Sequence, residues 1–407
     1  MKQTYRKSCI GIIALLLSLL LVLTACGSGN GGNDSQTPTG SGGVAPSASA
    51  QAEPSGTKEA PQIKGLTFKE ITPLLYATCF TIYNYEDGYA LIDIPESGTY
   101  LVVPEGKDVP EGLDDDIVVL QKPLDKIYLA ATSAMALFDA TGSIGNIRMS
   151  GAEASGWYID NAVAAMNAGD IIYAGKYSAP DYEMLIKEGC NLAIESTMIY
   201  HTPKVKEMIE DLGIPVLVDR SSYEEHPLGR TEWVKMYAVL TDKQAEAEAF
   251  FNDQAKIIEE LKDFPNTGKM VAFFYVNSNG AVVIRNPKDY IPKMIDIAGG
   301  KYAFEDLKTD QTASSIQITM EEFFATAVDA DYLIYNGSID IPLTAMEDLI
   351  KKDQMFAEFK AVKEGNVWTT GKSFYQATDI VGQMIRDVNI MVTDGDQSGM
   401  TFLSKVE

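Results

Sequence analysis

Histidine is almost missing from this sequence: among 407 residues only His201 and His226 occur. So sparse a supply argues against a histidine-built site for bare zinc or manganese. Cysteine is also scarce, with four residues. Cys9 and Cys26 fall at the start of the chain, and Cys79 and Cys190 could pair or stay free. Basic residues are outnumbered, 33 against 57 acidic ones, for a formal charge of −24. A chain this acidic is a poor partner for nucleic acid. There is no Gly-x-Ser-x-Gly elbow, no Ser/His/Asp order with supporting context and no phosphate-cradling glycine loop, which argues against an enzyme. The one long apolar stretch, Ser8 to Ala25, is too short for an ordinary membrane-spanning helix.

That stretch follows Lys2, Arg6 and Lys7 and ends in Leu23-Thr24-Ala25-Cys26. A basic start, an apolar centre and small residues at the end read as a secretory signal over residues 1–25. The ending resembles the bacterial lipobox. That resemblance implies cleavage before Cys26 and acylation of its sulfur, with palmitate among the acyl groups expected. Two acyl chains would hold the protein at the extracytoplasmic face of the cell membrane. Without the leader's three basic residues the net charge approaches −27. Residues 26–65 are rich in Gly, Ser, Pro, Thr and Ala and read as a flexible tether.

From Leu66 to Pro123 aromatic and β-branched runs such as "FTIYNYEDGYALIDI" and "GTYLVVP" predict β-structure broken by tight turns. From Lys126 strands and helices alternate: "KIYLAAT" then "SAMALFDATG", "APDYEMLIKEG" then "CNLAIES", "TPKVKEMIEDLG" then "IPVLVDR". That order predicts a parallel α/β sheet covered on both faces. "TEWVKMYAVLTDKQAEAEAFFNDQAKIIEELKDF", free of Pro and Gly, reads as one or two connected helices. Alternation then restarts with "KMVAFFYV" and runs to a closing helix, "ATDIVGQMIRDVNIMV". The layout predicts an N-terminal lobe over 66–228, a connecting helical segment over 229–266 and a C-terminal lobe over 267–407.

In this order the segments "KIYLAATSAMALFDATGSIGNI", "APDYEMLIKEGCNLAI", "AGGKYAF", "TMEEFFATAVDADYLIY" and "VKEGNVWTTGKSFYQAT" resemble the solute-binding lipoproteins of ABC importers, in particular their cobalamin/siderophore/haem-binding class. The resemblance covers about Lys126 to Val392. It implies the class III periplasmic-binding-protein fold, two Rossmann-like lobes joined by a long backbone helix. It also implies a monomer that captures a metal chelate and delivers it to an ABC permease and its ATPase, with no cofactor of its own. In such proteins an acidic residue early in one helix of each lobe docks on the permease; by motif position these are Glu183 and Glu322, with Glu321 beside the latter.

Ligands of open α/β sheets bind beyond the carboxyl ends of strands. That rule selects Thr132, Ser133, Arg148, Trp157, Tyr158, Tyr177, Arg220 and His226 in the first lobe. In the second it selects Tyr275, Arg285, Phe374 and Tyr375. Thr132 and Ser133 could equally cap a helix, and His226 could be a solvated loop residue. Trp157, set among small residues, reads as a stacking surface for a flat ligand. Trp233 and Trp368 read as core. A surface enzyme or sensor on the same fold is the competing function.

Overall fold

The computed structural model describes residues 59–311 and 313–407. The leader, Cys26 and most of the tether lie outside the described residues. The tether ends earlier than residue 65. Ile63 is buried, and the Tyr85 hydroxyl donates to the Pro61 carbonyl at 2.6 Å. Large apolar side chains at 63 and 66 give this stretch something to bury, which the Gly/Ser-rich run before it lacks.

Strands β1 (Phe68–Ile71), β2 (Thr81–Tyr85), β3 (Ala90–Ile94), β4 (Gly98–Val103) and β5 (Ile117–Gln121) form one sheet in chain order. All its pairings are antiparallel except β4 with β5. Alternation along β3 and β4 sends Ile92, Tyr100 and Val102 into the main core and Leu91, Leu101 and Val103 into a small second core. The loop before β2 is held by two buried acids. Glu232 accepts from the backbone N–H groups of Leu75, Tyr76 and Ala77, and Glu224 from those of Thr78 and Cys79.

The first lobe is a parallel sheet in the order β12-β11-β6-β7-β8. Its strands are β6 (Ile127–Leu129), β7 (Ile147–Ser150), β8 (Ile172–Tyr173), β11 (Leu192–Ser196) and β12 (Val216–Asp219), with a small hairpin, β9 (Gly175–Lys176) and β10 (Ala179–Pro180), beside it. Helices α1 (Met135–Ala140), α2 (Asp160–Ala168), α3 (Tyr182–Lys187) and α4 (Pro203–Asp211) cover it.

The connecting segment is not one long helix. Helices α5 (Pro227–Thr241) and α6 (Gln244–Leu261) are broken at Asp242, whose φ of 58° is left-handed. Asp tolerates this conformation, and its carboxylate accepts from the Lys122 ammonium at 2.6 Å. Lys235 reaches Glu248 at 3.1 Å and lies over the Phe251 ring. Residues spaced similarly on either side of the break therefore meet, which makes the pair an antiparallel hairpin. Helix α5 is buried along nearly its whole length. It packs on α1, and also on helices of the second lobe.

The second lobe is mixed rather than purely parallel. Its strands are β13 (Met270–Val276), β14 (Val282–Arg285), β15 (Lys301–Tyr302), β16 (Ser315–Ile318), β17 (Tyr332–Tyr335), β18 (Val367–Thr370) and β19 (Leu403–Lys405). The order is β16-β14-β13-β17-β18-β19, with β15 also on β13. Strands β13, β17 and β18 are parallel, while β14, β16 and β19 run against their neighbours. The reason lies in the links: a short turn at 277–281 joins β13 to β14 as a hairpin, and only a crossover helix would make them parallel. Helices α7 (Tyr290–Ile297), α8 (Met320–Ala327), α9 (Met346–Lys352), α10 (Lys360–Lys363) and α11 (Val381–Val392) complete the lobe. Cys79 and Cys190 are both free thiols. Among the described residues no helix is long and apolar enough to cross a membrane.

Candidate functional site

The loops beyond the carboxyl ends of the two sheets touch each other. The Gln376 amide, beyond β18, accepts the Tyr158 backbone N–H at 2.9 Å and donates to the Gly156 carbonyl at 2.7 Å. Thr378 donates through its hydroxyl to the Ser133 carbonyl at 2.5 Å, and its own carbonyl accepts from the Thr231 hydroxyl of α5 at 2.9 Å. Burial next to Asp139 pushes the Asp379 acid up to about 6. Ser133 and Tyr158 thus belong to a junction whose other half, Gln376 and Thr378, lies in the "YQAT" loop. The sequence reading stopped at Tyr375, one residue short.

Deeper in the second lobe Arg285 and Tyr375 each act electrostatically on both Tyr275 and Tyr290. Tyr375 accepts from the Asn336 amide at 2.8 Å. Burial raises the Tyr275 phenol, and Tyr375 adds to the shift. Tyr275 and Tyr375 are half-buried, and Tyr158 is exposed.

Several expected contacts are otherwise engaged. Trp157 is 4% exposed, its ring in the core and its indole N–H on Ser150 Oγ at 3.0 Å. Backbone position on a loop did not reveal that the side chain turns inward, so the stacking role fails. Phe374, 2% exposed, packs on Phe273 and Phe402 and is core as well. Arg148 lies within β7, not after it. Its guanidinium bonds Glu188 and the carbonyls of Gly169 and Asp170, which precede β8, so it points to the amino ends of the strands. His226 caps α5, accepting the Leu228 N–H at 3.2 Å while its ring stacks on Tyr76 at 4.2 Å. Burial, helped by Lys293, lowers its pKa to about 4, so the ring stays neutral at physiological pH. Arg285 forms a two-bond ion pair with Asp289, at 2.9 and 2.6 Å. Arg220 pairs with Glu96 at 2.8 Å and covers the Tyr223 ring. Thr132 is exposed in the turn after β6 and Tyr177 half-buried in the turn between β9 and β10. Neither Thr132 nor Ser133 caps α1, whose N-cap is Ala134.

The two surface acids differ. Glu183 is exposed at the second position of α3, after the N-cap Asp181. Glu322 is the third residue of α8 and accepts the Thr319 backbone N–H at 2.9 Å in a capping box. Counted from the cap, Glu321 is the counterpart of Glu183; motif spacing alone had put Glu322 there.

Comparison with known proteins bears on this geometry. A family model described as periplasmic binding protein matches residues 156–373, more than half of the chain. An uncharacterized lipoprotein of Methanocaldococcus jannaschii is 28% identical over 281 residues, 65% of this chain and 64% of the relative. A second uncharacterized lipoprotein of that organism is 28% identical over 192 residues, 44% of this chain and 47% of its own. The chain thus spans between about half and two thirds of the length of these relatives. Among solved structures, a possible iron-binding, periplasmic solute-binding protein of Staphylococcus epidermidis superposes with a TM-score of 0.52 at 17% identity, covering 67% of this chain and 99% of its own. A periplasmic haem-binding protein of Vibrio cholerae gives 0.52 at 15%, covering 66% and 97%. A petrobactin-binding protein of Bacillus subtilis gives 0.52 at 15%, covering 66% and 92%. With the parallel first sheet, the mixed second sheet and their touching carboxyl-end loops, these matches place the chain in the periplasmic-binding-protein family.

Proposed function

We propose that this protein is a lipid-anchored, extracytoplasmic solute-binding protein that captures a metal chelate and hands it to an ABC permease. One observation carries the reading. Six exposed apolar or aromatic side chains, Tyr158, Met198, Tyr200, Tyr223, Ile339 and Ile341, all lie on loops that follow the strands β7, β11, β12 and β17. Exposed apolar surface gathered at the carboxyl ends of two facing sheets suits a bulky, partly flat ligand. Solved relatives of the same fold are named for iron, haem and petrobactin. The lipobox-like Leu23-Thr24-Ala25-Cys26 supports the anchor. Glu183 and Glu321, each early in a helix leading to a sheet strand, are the acids that would meet permease arginines.

The test is equilibrium binding by the full-length chain in detergent, followed by fluorescence and by melting temperature. Ferric siderophores, cobalamin and haemin form the panel. At least one should bind and raise the melting temperature. A folded sample indifferent to every member would refute chelate capture.

A further inference from the structure

Every described arginine but one has a carboxylate partner. Arg148 pairs with Glu188, Arg220 with Glu96, Arg285 with Asp289 and Arg386 with Glu260. The exception is Arg230, on the first turn of α5, and it is also the arginine with the lowest exposure, at 4%. Among the described residues no hydrogen bond or ion pair reaches its guanidinium, and Nε is fully enclosed without a partner. The Tyr290 ring lies 4.1 Å from the guanidinium carbon. Asp219 is near enough for Arg230 to favour its ionised form. Yet both Asp219 oxygens are taken, one by the Ser221 N–H and hydroxyl and the other by the Tyr237 hydroxyl.

An enclosed charge without a partner is costly, and most groups escape by losing it. Glu195, also buried and unpartnered, escapes by holding a proton. Arginine has no such escape, because it stays protonated at any physiological pH. The position matters as well. Thr231, the next residue, bonds Thr378 of the interlobe junction, and Tyr290 shares its field with Arg285 and Tyr375. Arg230 therefore lies at the floor between the lobes, on the helix that both lobes pack against.

We propose that Arg230 is the seat for an anionic oxygen group of the ligand, a carboxylate in the first instance. The linking helix, not the lobe loops, would then read the ligand's charge. The inference rests on the chelate-binding reading above and narrows it to anionic chelates. A guanidinium presents a planar fork that matches a carboxylate, and Tyr290 holds the plane in place.

The experiment compares the full-length wild type with Arg230→Met in detergent, using three probes: haemin, which bears two carboxylates, ferric citrate, and an uncharged ferric trihydroxamate. Binding is read by fluorescence titration and folding by the melting temperature without ligand. Wild type should bind at least one anionic probe, and Arg230→Met should bind it about 100-fold more weakly, because a buried charge pair has lost one partner. Affinity for the uncharged probe should not change. The ligand-free variant should melt at the same or a higher temperature, since an unpaired buried charge has been removed. A lower melting temperature would show Arg230 to be a support of the fold and would overturn the proposal. Unchanged affinity for the anionic probes would overturn it too. Wild type that binds only the uncharged probe, or none of the three, ends this proposal; chelate capture itself ends only if cobalamin and the remaining ferric siderophores of the panel above fail as well.

Discussion

Glu195 offers the sharpest test of the physical reasoning. It lies in β11 between β6 and β12, 0% exposed, with neither carboxyl oxygen bonded. Loss of water around it pushes its acid from the ordinary 4.5 up to about 8. The folded state therefore binds a proton that the unfolded state releases. Stability from this group is intact below pH 4.5 and is lost progressively as pH rises towards 8. At about 1.4 kcal/mol per unit, the loss reaches roughly 3 kcal/mol at pH 7 and somewhat over 4 at pH 8. Glu195→Gln keeps the shape and cannot ionise. Its extra N–H finds no acceptor, which costs about 1 kcal/mol at every pH. The variant should therefore match wild type near pH 5 and exceed it by about 2 kcal/mol at pH 7, and by more at pH 8. Urea unfolding at several pH values, read by tryptophan fluorescence, measures the difference. Groups such as Asp379 titrate in both proteins and cancel. A difference that stays flat between pH 5 and pH 8, or a variant that is weaker at pH 8, would refute the argument.

Four further outcomes are expected. Cys26→Ser should move the protein from the membrane fraction to the soluble one; persistence in washed membranes would remove the anchor from the proposal. Charge reversal at Glu183 and Glu321 together should abolish ligand uptake by cells and leave affinity in vitro unchanged, with each single change partly tolerated because exposed charges act weakly. Normal uptake by the double variant at wild-type levels would sink the docking role, whereas Glu322→Ala should cost about 1 kcal/mol of stability through its capping box and leave uptake intact. Glu232→Ala, which strips the acceptor from three backbone N–H groups and leaves Lys235 with Glu248 and the Pro73 carbonyl, should destabilise the protein by about 3 kcal/mol or more in urea. A loss under 1 kcal/mol would mean the loop at 73–80 is held mainly by its apolar contacts.

Much of the fold was legible in the sequence because local rules act over short distances. Alternation of β-branched and polar residues marked β2 to β4, and Pro near the start with Gly past the end marked α3. Strand-helix order marked the α/β class, and the family followed from that order. Side-chain direction was not legible. Trp157 and Phe374 sit on loops, as expected, yet turn into the core, because whether a loop residue faces water depends on what packs over it. Charge pairing was equally hidden. Arg148, Arg220 and Arg285 looked like ligand contacts until carboxylates 40, 124 and 4 residues away were found beside them. Arg230 drew no notice in "PLGRTEW", since nothing in seven letters says that a guanidinium will be enclosed without a partner. The linking segment shows the same divide. Its helical periodicity is local, but the reversal at Asp242 is stabilised by Lys122, from a strand region 120 residues earlier. The sequence by itself determined which segments form strands and helices and in what order, because those depend on neighbours in the chain. Only the tertiary structure decided which charges are paired and which rings are buried, because those depend on residues that meet through the fold.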